Sequence, residues 1–302
     1  MTTVAALRLG TRGSRLALAQ ARMAAEAIGA VGFGNPVELV EIHTRGDSIS
    51  ARRPGGRWEE TDGQFTTELE RALLRGEVDL VVHSLKDLPT VSLAGLFIAA
   101  ILERADPCDC LLTRGSGGLD GLPFGAQVGT SSPRRAAQLA TARPDLLARP
   151  IRGNVETRLR RLNAGEFDAV VVAAAGLDRL QIEVPHEARL SLDLMLPAPA
   201  QGALALQIRA GDTEFGERVA KADHRPTRIA VEAERALLRR VGGGCLAPLG
   251  ALGEVTHETL RLRAAYEDRL GGFVRADVSG AVDRPAAVVE AAARVILDAV
   301  PS

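Results

Sequence analysis

Short apolar runs alternate with amphipathic stretches along most of the chain. Leu7 to Gly10 predicts a first strand, and Ser14 is placed to cap the helix that follows it. Runs at 37–42 and 78–83 predict two more strands, with an amphipathic helix over 65–73 between them. Strands that alternate with helices in this way indicate an α/β fold.

Two parts of the chain echo each other. Residues 76–82 read GEVDLVV and residues 165–171 read GEFDAVV, and a Gly-Thr pair closes a strand at both 10–11 and 129–130. One such similarity could arise by chance between two βαβ units. The two similarities together favour a pair of lobes with the same fold. Two lobes of this kind usually enclose a ligand-binding cleft.

Prolines near residues 107 and 197–199 mark places where the chain would pass from one lobe to the other and back. After Arg225 a helix, three short strand-like runs and a closing helix over 286–300 predict a small α+β domain. The expected division is domain 1 at 1–104 and 201–222, domain 2 at 105–200 and domain 3 at 223–302.

Composition restricts the classes of function. The 302 residues are 46% hydrophobic and 25% charged, so we expect a globular chain with neither a signal peptide nor a membrane-spanning run. Its three cysteines suggest reduced thiols in the cytoplasm, and a net charge of -1 argues against nucleic acid as a partner. All but two of the 37 basic residues are arginine, which genomic base composition would explain, so only their placement carries information.

The segment from His83 to Pro89 follows a predicted buried strand, where open α/β sheets place their ligands. It carries Lys86 and Asp87 side by side. A solvated ion pair, worth less than about 1 kcal/mol, and a Schiff-base lysine are alternatives to a catalytic role for this pair.

Residues 129–135, GTSSPRR, predict an anion site. Ser132 as N-cap and Pro133 at the first helical position leave Arg134 and Arg135 in the first turn. Cations there oppose the helix dipole, but a bound anion would reverse that cost.

Further arginines recur at predicted strand-to-helix turns. Arg152 precedes Asn154, a predicted N-cap, and Arg158 lies one turn into the helix; Arg12 and Arg179 occupy similar turns. These turns would converge on one cleft, so the inferred ligand is acidic, with several carboxylates or phosphates.

Cys245 lies on the glycine-rich loop 241–250, where another molecule could approach its sulfur closely. A buried, inert cysteine at a helix end is the alternative. The spacing of Cys108 and Cys110 does not fit a zinc knuckle, and no metal site is predicted.

Taken together, these segments resemble the porphobilinogen deaminase (hydroxymethylbilane synthase) family from about Leu7 to the final helix. The resemblance implies two lobes like those of type II periplasmic binding proteins plus a small α+β C-terminal domain. It is carried by the ordered motifs at 11–14, 44–47, 83–89, 129–135, 152–154, 174–180, 199–202 and 243–245.

The family condenses four porphobilinogens, releasing ammonia each time, and water finally frees linear hydroxymethylbilane. The resemblance implies a dipyrromethane cofactor held by Cys245 through a thioether and a catalytic carboxylate at Asp87, which would stabilise the cationic methylene-pyrrolenine. Each pyrrole carries an acetate and a propionate, a ligand that suits an arginine-lined cleft.

Other residues lie at motif positions that bind the cofactor or the substrate in the family, so the resemblance implies the same roles for them. The cofactor set is Ser84, Lys86, Asp87, Thr130, Ser132, Arg134, Arg135, Arg158 and Gly176, with Cys245. The substrate set is Arg12, Ser14, Phe65, Arg152, Arg158, Arg179 and Gln201. A monomer, with possible handover of product to uroporphyrinogen III synthase, is also implied.

One departure from the family concerns the loop before the second helix, where lysines are usual and residues 58–65 here are acidic. Arg52, Arg53 and Arg57 are candidates to replace those lysines. The rival hypothesis is a non-catalytic, two-lobed anion-binding protein, which would need no reactive cysteine and would usually carry an export signal.

Overall fold

The structure is a computed structural model, and it describes residues 6–42, 67–115, 117–242, 247–267 and 271–299. Within these ranges it has twelve strands and eight α-helices. The strands are β1 (Leu7–Thr11), β2 (Val37–Glu41), β3 (Leu80–Ser84), β4 (Leu96–Ile101), β5 (Asp109–Thr113), β6 (Gln127–Gly129), β7 (Leu147–Arg149), β8 (Ala169–Ala173), β9 (Leu204–Arg209), β10 (Leu249–Thr256), β11 (Thr259–Glu267) and β12 (Phe273–Ala281). The helices are α1 (Arg15–Ala30), α2 (Thr67–Leu74), α3 (Pro133–Ala142), α4 (Val155–Asn163), α5 (Ala174–Arg179), α6 (Thr213–Val219), α7 (Arg225–Arg240) and α8 (Pro285–Ala299).

The chain divides into two compact units, one of residues 1–104 and 203–228 and the other of residues 105–202 and 229–302. The first unit contains a five-stranded sheet in the order β2-β1-β3-β9-β4. β1 pairs in parallel with β2 and β3, whereas β9 runs antiparallel to β3 and β4. Leu9, Leu80 and Leu206 lie in its buried core.

The second unit contains a four-stranded sheet in the order β5-β8-β6-β7. Read from β7, this order matches β2-β1-β3-β9 of the first sheet, with two parallel pairs and one antiparallel pair. Gly10 pairs with Val81 in one sheet and Gly129 pairs with Val170 in the other. The two lobes predicted from the sequence echoes are therefore confirmed.

Packing explains why both lobes have glycine at this place. A Cβ on Gly10 would lie 2.9 Å from Cγ1 of Val81, and a Cβ on Gly129 would lie 3.1 Å from Cγ1 of Val170. Both distances are tighter than ordinary carbon–carbon contact. The strand before each helix can therefore approach its neighbour closely only without a side chain.

The second unit also holds an antiparallel sheet in the order β10-β11-β12. Its core joins Leu249, Leu260 and Leu262 to Leu237 of α7 and Ile296 of α8. This agrees with the expected α+β domain, so the fold class is confirmed. The division into three domains with the stated bounds stays a prediction, since the two compact units put residues 105–200 and most of the C-terminal part together.

None of the helices in the described ranges is long and apolar enough to cross a lipid bilayer.

Candidate functional site

In the first unit, Asp87 lies on a short turn fixed by buried neighbours. β3 ends at Ser84, and Leu85–Asp87 form one turn of 3₁₀ helix. The side chains of Leu85 and Leu88 are buried, and the backbone N–H of Leu85 donates to the carbonyl of Ala203 at 3.0 Å. Asp87 itself is exposed. The turn therefore presents a carboxylate to solvent from a rigid, buried base.

Ser84 and Lys86, on either side of Leu85, are both half-buried. Nε2 of Gln20, on α1, donates to Oγ of Ser84 at 2.8 Å. The Ser84 hydroxyl is therefore held at the carboxyl end of β3 with its own proton available to another acceptor.

Arg12 and Ser14 lie in the turn between β1 and α1, and both are half-buried. Oγ of Ser14 accepts from the backbone N–H of Ala17 at 3.2 Å, which confirms the predicted N-cap. Within the first unit, the β1 and β3 ends that carry these residues belong to neighbouring strands.

In the second unit, the start of α3 has the predicted form. Pro133 is at the first helical position, and Oγ of Ser132 accepts from the backbone N–H of Arg135 at 3.4 Å. Oγ1 of the buried Thr130 accepts from the backbone N–H of Ser132 at 3.2 Å.

Arg134 and Arg135 lie in the first turn of α3, as predicted, and a buried carboxylate of the protein partners them there. The two side chains are only 4% and 8% exposed, and both contact Asp109, which is fully buried. Nη1 of Arg134 donates to Oδ2 of Asp109 at 2.7 Å, and Nη2 of Arg135 donates to Oδ1 at 2.6 Å. Burial of two cations requires a counter-ion, and the protein supplies one itself.

Burial and the neighbouring charges shift the pKa values of Asp109 and Arg134. Burial alone would raise the pKa of Asp109, but the two guanidiniums outweigh it and hold that pKa well below its usual range. Burial also lowers the pKa of Arg134, and the neighbouring Arg135 adds to this effect. The carboxylate is therefore ionised, and two positive charges face one negative charge.

Buried donors at this cluster and at Arg179 have no partner within the described chain. They are the Nε atoms of Arg134, Arg135 and Arg179. An unpaired buried N–H is costly, and each of these three could be satisfied by an acceptor from a ligand. Carboxylate oxygens are suited to this because a guanidinium donates to them in a planar fork.

Arg152 and Arg158 flank the start of α4. Oδ1 of Asn154 accepts from the backbone N–H of Thr157 at 2.9 Å, which confirms the predicted N-cap. Arg152 is exposed, whereas Arg158 is half-buried and donates from Nε to the carbonyl of Gly153 at 3.0 Å.

Arg179 ends α5, and its Nη2 donates to the carbonyl of Gly202 at 2.6 Å. Burial lowers the pKa of this guanidinium to about 10, so it remains charged at neutral pH. Gly176 is buried within the same helix.

Gln201 has a different environment from the one expected of a substrate-binding residue. It is 1% exposed, and its Nε2 donates to Oδ1 of Asp109 at 2.9 Å and to the carbonyl of Pro107 at 2.7 Å. Its amide therefore supports the Asp109 cluster, and its contact with substrate stays a prediction.

Some sequence-predicted residues lie outside the described residues. They are Phe65, Cys245 and the loop arginines Arg52, Arg53 and Arg57. Asp109 is the residue that sequence reasoning missed. A charged residue between Cys108 and Cys110, leading into an apolar strand, was the available signal, since a buried carboxylate needs a cationic partner.

Fold and site together define a protein of two α/β lobes and an α+β domain, with arginines at its strand-to-helix turns. Residues 7–217 match the family model "Porphobilinogen deaminase, dipyromethane cofactor binding domain", and residues 228–298 match "Porphobilinogen deaminase, C-terminal domain". The chain belongs to the porphobilinogen deaminase family.

Curated relatives agree with this assignment. The chain is similar to porphobilinogen deaminases from Acidothermus cellulolyticus (52% identity, covering 90% of this chain and 83% of that protein) and Desulforudis audaxviator (48% identity, 93% and 90%). It is also similar to that of Roseiflexus castenholzii (43% identity, 97% and 96%). Among solved structures, the methionine-binding protein MetQ has 13% identity and a TM-score of 0.44, covering 79% of this chain and 96% of that chain.

Proposed function

We propose that this chain is a hydroxymethylbilane synthase. It condenses four porphobilinogen molecules with loss of ammonia at each addition, and then releases linear hydroxymethylbilane by hydrolysis, a step of tetrapyrrole synthesis. The observation that carries the proposal is the guanidinium cluster at α3, with unpartnered Nε donors, in a domain that matches a cofactor-binding family model. Such a cluster suits a ligand with several carboxylates.

The unpartnered guanidinium N–H groups in the second unit fit the acetate and propionate side chains of a dipyrromethane. Arg134 and Arg135 would hold its carboxylates through their remaining N–H groups, and Thr130 and Ser132 lie in the turn directly before them. Arg158 and Gly176 are candidates by matching motif. When bound, the dipyrromethane supplies the pyrrole carbon on which the product chain is assembled.

Cys245 is the proposed point of attachment, through a thioether. The other two thiols support this choice, because burial raises the pKa of Cys108 to about 12 and that of Cys110 to about 11. At neutral pH, about one in ten thousand or fewer of these two thiols would be thiolate. Neither is therefore a good nucleophile.

Asp87 is proposed to assist the loss of ammonia. When the C–N bond of protonated porphobilinogen breaks, the electron pair leaves with the nitrogen and positive charge spreads over the pyrrole. A carboxylate held near that charge lowers its energy without having to reorganise. The rigid base formed by Leu85 and Leu88 is suited to hold it in place.

The remaining arginines, Arg12, Arg152, Arg158 and Arg179, are proposed to bind substrate carboxylates. Ser14, in the same turn as Arg12, would donate its hydroxyl to an acidic group. Each porphobilinogen brings an acetate and a propionate, so several guanidiniums are needed to neutralise a growing chain. Phe65 would contact a pyrrole ring, and Gln201 is kept as a candidate on motif alone.

We further propose that the protein works as a cytoplasmic monomer and passes its product to uroporphyrinogen III synthase. The three cysteines, too few for a disulfide framework in a chain of this length, support a reducing compartment.

The test is the stoichiometry of turnover with porphobilinogen as substrate. We expect four ammonia molecules for each hydroxymethylbilane, with Asp87→Asn as the comparison that releases ammonia much more slowly. A purified protein that binds porphobilinogen without releasing ammonia would support the rival, a non-catalytic anion-binding protein.

A further inference from the structure

We propose that Asp109 is a positioning residue, which orients Arg134 and Arg135 so that the Nε edge of Arg134 meets a carboxylate of the bound pyrrole. This inference rests on the proposed function and extends it to a residue that touches neither substrate nor cofactor.

The carboxylate of Asp109 accepts hydrogen bonds from three side chains. Oδ2 accepts from Arg134, and Oδ1 accepts from both Arg135 and Gln201. Two guanidiniums that share one carboxylate cannot rotate independently, because movement of either one breaks a short, charge-assisted hydrogen bond. Asp109 therefore fixes the relative orientation of the pair.

One edge of the Arg134 guanidinium is left for a ligand, because its Nη1 group already has partners. Its Nη1 carries two hydrogens, and both are used, on Oδ2 of Asp109 and on the carbonyl of Leu196 at 2.7 Å. The Nε atom has no partner in the described part of the chain. The edge formed by Nε and Nη2, which binds carboxylates bidentately, therefore remains.

Arg135 is held in a similar way. Its Nη1 donates to the carbonyl of Val171 at 3.0 Å, and its Nη2 donates to Asp109. Its buried Nε also lacks a partner among the described residues. Asp109 thus holds one Nη group of each arginine, Nη1 of Arg134 and Nη2 of Arg135, and leaves both Nε atoms for another acceptor.

The charge balance points to an anion. Two buried guanidiniums and one carboxylate leave one positive charge in excess, and Gln201 adds a donor without adding charge. Removal of a charge from water requires compensation, and an acidic ligand at the open edge provides it. A cluster already neutral would have no such requirement.

A second buried carboxylate fixes the segment that carries Gln201. Glu234, on α7, accepts from the backbone N–H of Ala200 at 2.6 Å and from that of Gly253, on β10, at 2.7 Å. Ala200 has a positive φ of 64°, which few non-glycine residues adopt. Glu234 therefore holds the chain in the conformation that delivers Gln201 to Asp109.

The experiment measures cofactor loading instead of turnover. Full-length apoprotein is produced in cells that cannot make porphobilinogen, porphobilinogen is added, and intact mass follows the gain of two pyrrole units. Asp109→Asn keeps the shape and removes the charge, whereas Asp109→Glu keeps the charge and adds a methylene group.

We expect Asp109→Asn to need roughly 10- to 100-fold more porphobilinogen for half-maximal loading, the effect of losing one charge-assisted hydrogen bond. For Asp109→Glu, the porphobilinogen concentration for half-maximal loading should lie between those of Asp109→Asn and the wild type. A side chain that only fills space would give the opposite order, because the longer glutamate would then be the more harmful change. That opposite order, or loading of Asp109→Asn at the wild-type concentration, overturns the proposal.

The matched control is Asp106→Asn. Asp106 is 30% exposed, lies in the same segment and also pairs with an arginine, Arg189. Its loading curve should match that of the wild type, and a shift equal to that of Asp109→Asn would overturn the specific role of Asp109.

Arg134→Lys keeps the proposal testable if Asp109→Asn does not fold. Lysine keeps the charge beside Asp109 but lacks the planar Nε edge. Loading should weaken about tenfold or more, whereas Arg143→Lys, at another Arg–Asp pair of the second unit, should load normally. Normal loading of a folded Arg134→Lys protein overturns the proposal. A wild type that gains no mass overturns the proposed function itself, and this inference with it.

Discussion

Nε2 of His83 lies 3.0 Å from Oε1 of Gln207 in the core of the first unit, directly before the turn that carries Asp87. Nε2 of Gln207 donates in turn to Oε1 of Glu70 at 3.1 Å. Because the Gln207 oxygen can only accept, His83 donates from Nε2. Burial lowers the pKa of His83 to about 4, so the imidazole is neutral at neutral pH.

This buried histidine predicts a loss of stability at mildly acidic pH. Between pH 6.5 and about 4 the unfolded chain binds a proton at His83 that the folded chain does not bind. The free energy of unfolding should therefore fall as pH falls through this range, by up to about 3 kcal/mol. Denaturant unfolding at a series of pH values measures the slope, and His83→Gln should reduce it.

Glu70 provides the control, since its contribution has the opposite sign. Burial raises the pKa of its carboxyl group, so the folded state binds the proton more tightly there and stability falls as pH rises. Glu70→Gln should therefore steepen the fall of the free energy of unfolding with falling pH, which His83→Gln reduces. If the free energy of unfolding of His83→Gln changed with pH as steeply as that of the wild type, the buried imidazole would not be neutral.

Asp87→Asn should retain the fold and lose activity. The side chain is exposed, so its replacement leaves the packing of Leu85 and Leu88 intact. We expect kcat to fall by about 10²- to 10³-fold, the usual effect of removing one electrostatic group from a transition state. Asp193→Asn is the comparison, since that side chain is 95% exposed, and its kcat should equal that of the wild type. Equal kcat values for the two variants would rule out the catalytic role.

Gly153→Ala should destabilise the start of α4, where Arg152 and Arg158 lie. Gly153 has a φ of 106°, and an added Cβ would lie 2.6 Å from Cγ2 of Thr157. We expect a loss of about 1–3 kcal/mol in the free energy of unfolding. Gly29→Ala, within α1 where a Cβ would meet no atom within 4 Å, should be neutral or stabilising by up to about 1 kcal/mol. Thermal unfolding compares the two, and a Gly153→Ala protein as stable as Gly29→Ala would contradict the strained geometry.

Glu234→Gln should weaken the second unit. Both oxygens of this buried carboxylate accept backbone N–H groups, and an amide would turn one acceptor into a donor facing an N–H. The expected loss is about 1–3 kcal/mol in the free energy of unfolding. Glu232→Gln, at an exposed position of the same helix, should change stability by less than about 0.5 kcal/mol. If the two variants unfolded at similar urea concentrations, the Glu234 hydrogen bonds would contribute little to stability.

Local features of the site could be predicted from the sequence. The N-caps at Ser14, Ser132 and Asn154 were predicted correctly, because each oxygen accepts from an N–H only three residues further along the chain. The repeated lobes were also predictable, since the glycine in the strand before α1 and the glycine in the strand before α3 are each required by packing against an equivalent valine.

The burial of the arginines could not be predicted in this way. Arg134 lies 25 residues from Asp109 in sequence and Gln201 lies 92, so their meeting depends on how β5, α3 and the segment before β9 pack together. Helix position alone placed Arg134 and Arg135 in the first turn of α3 correctly. It could not show that their side chains turn inward onto a carboxylate.

The most direct test of the account is the intact mass of the protein purified from cells that make porphobilinogen. We expect a mass above that of the polypeptide by two pyrrole units, lost in Cys245→Ser and kept in Cys108→Ser and Cys110→Ser. A wild-type mass equal to that of the bare chain, or an excess that survives in Cys245→Ser, would contradict the proposed attachment.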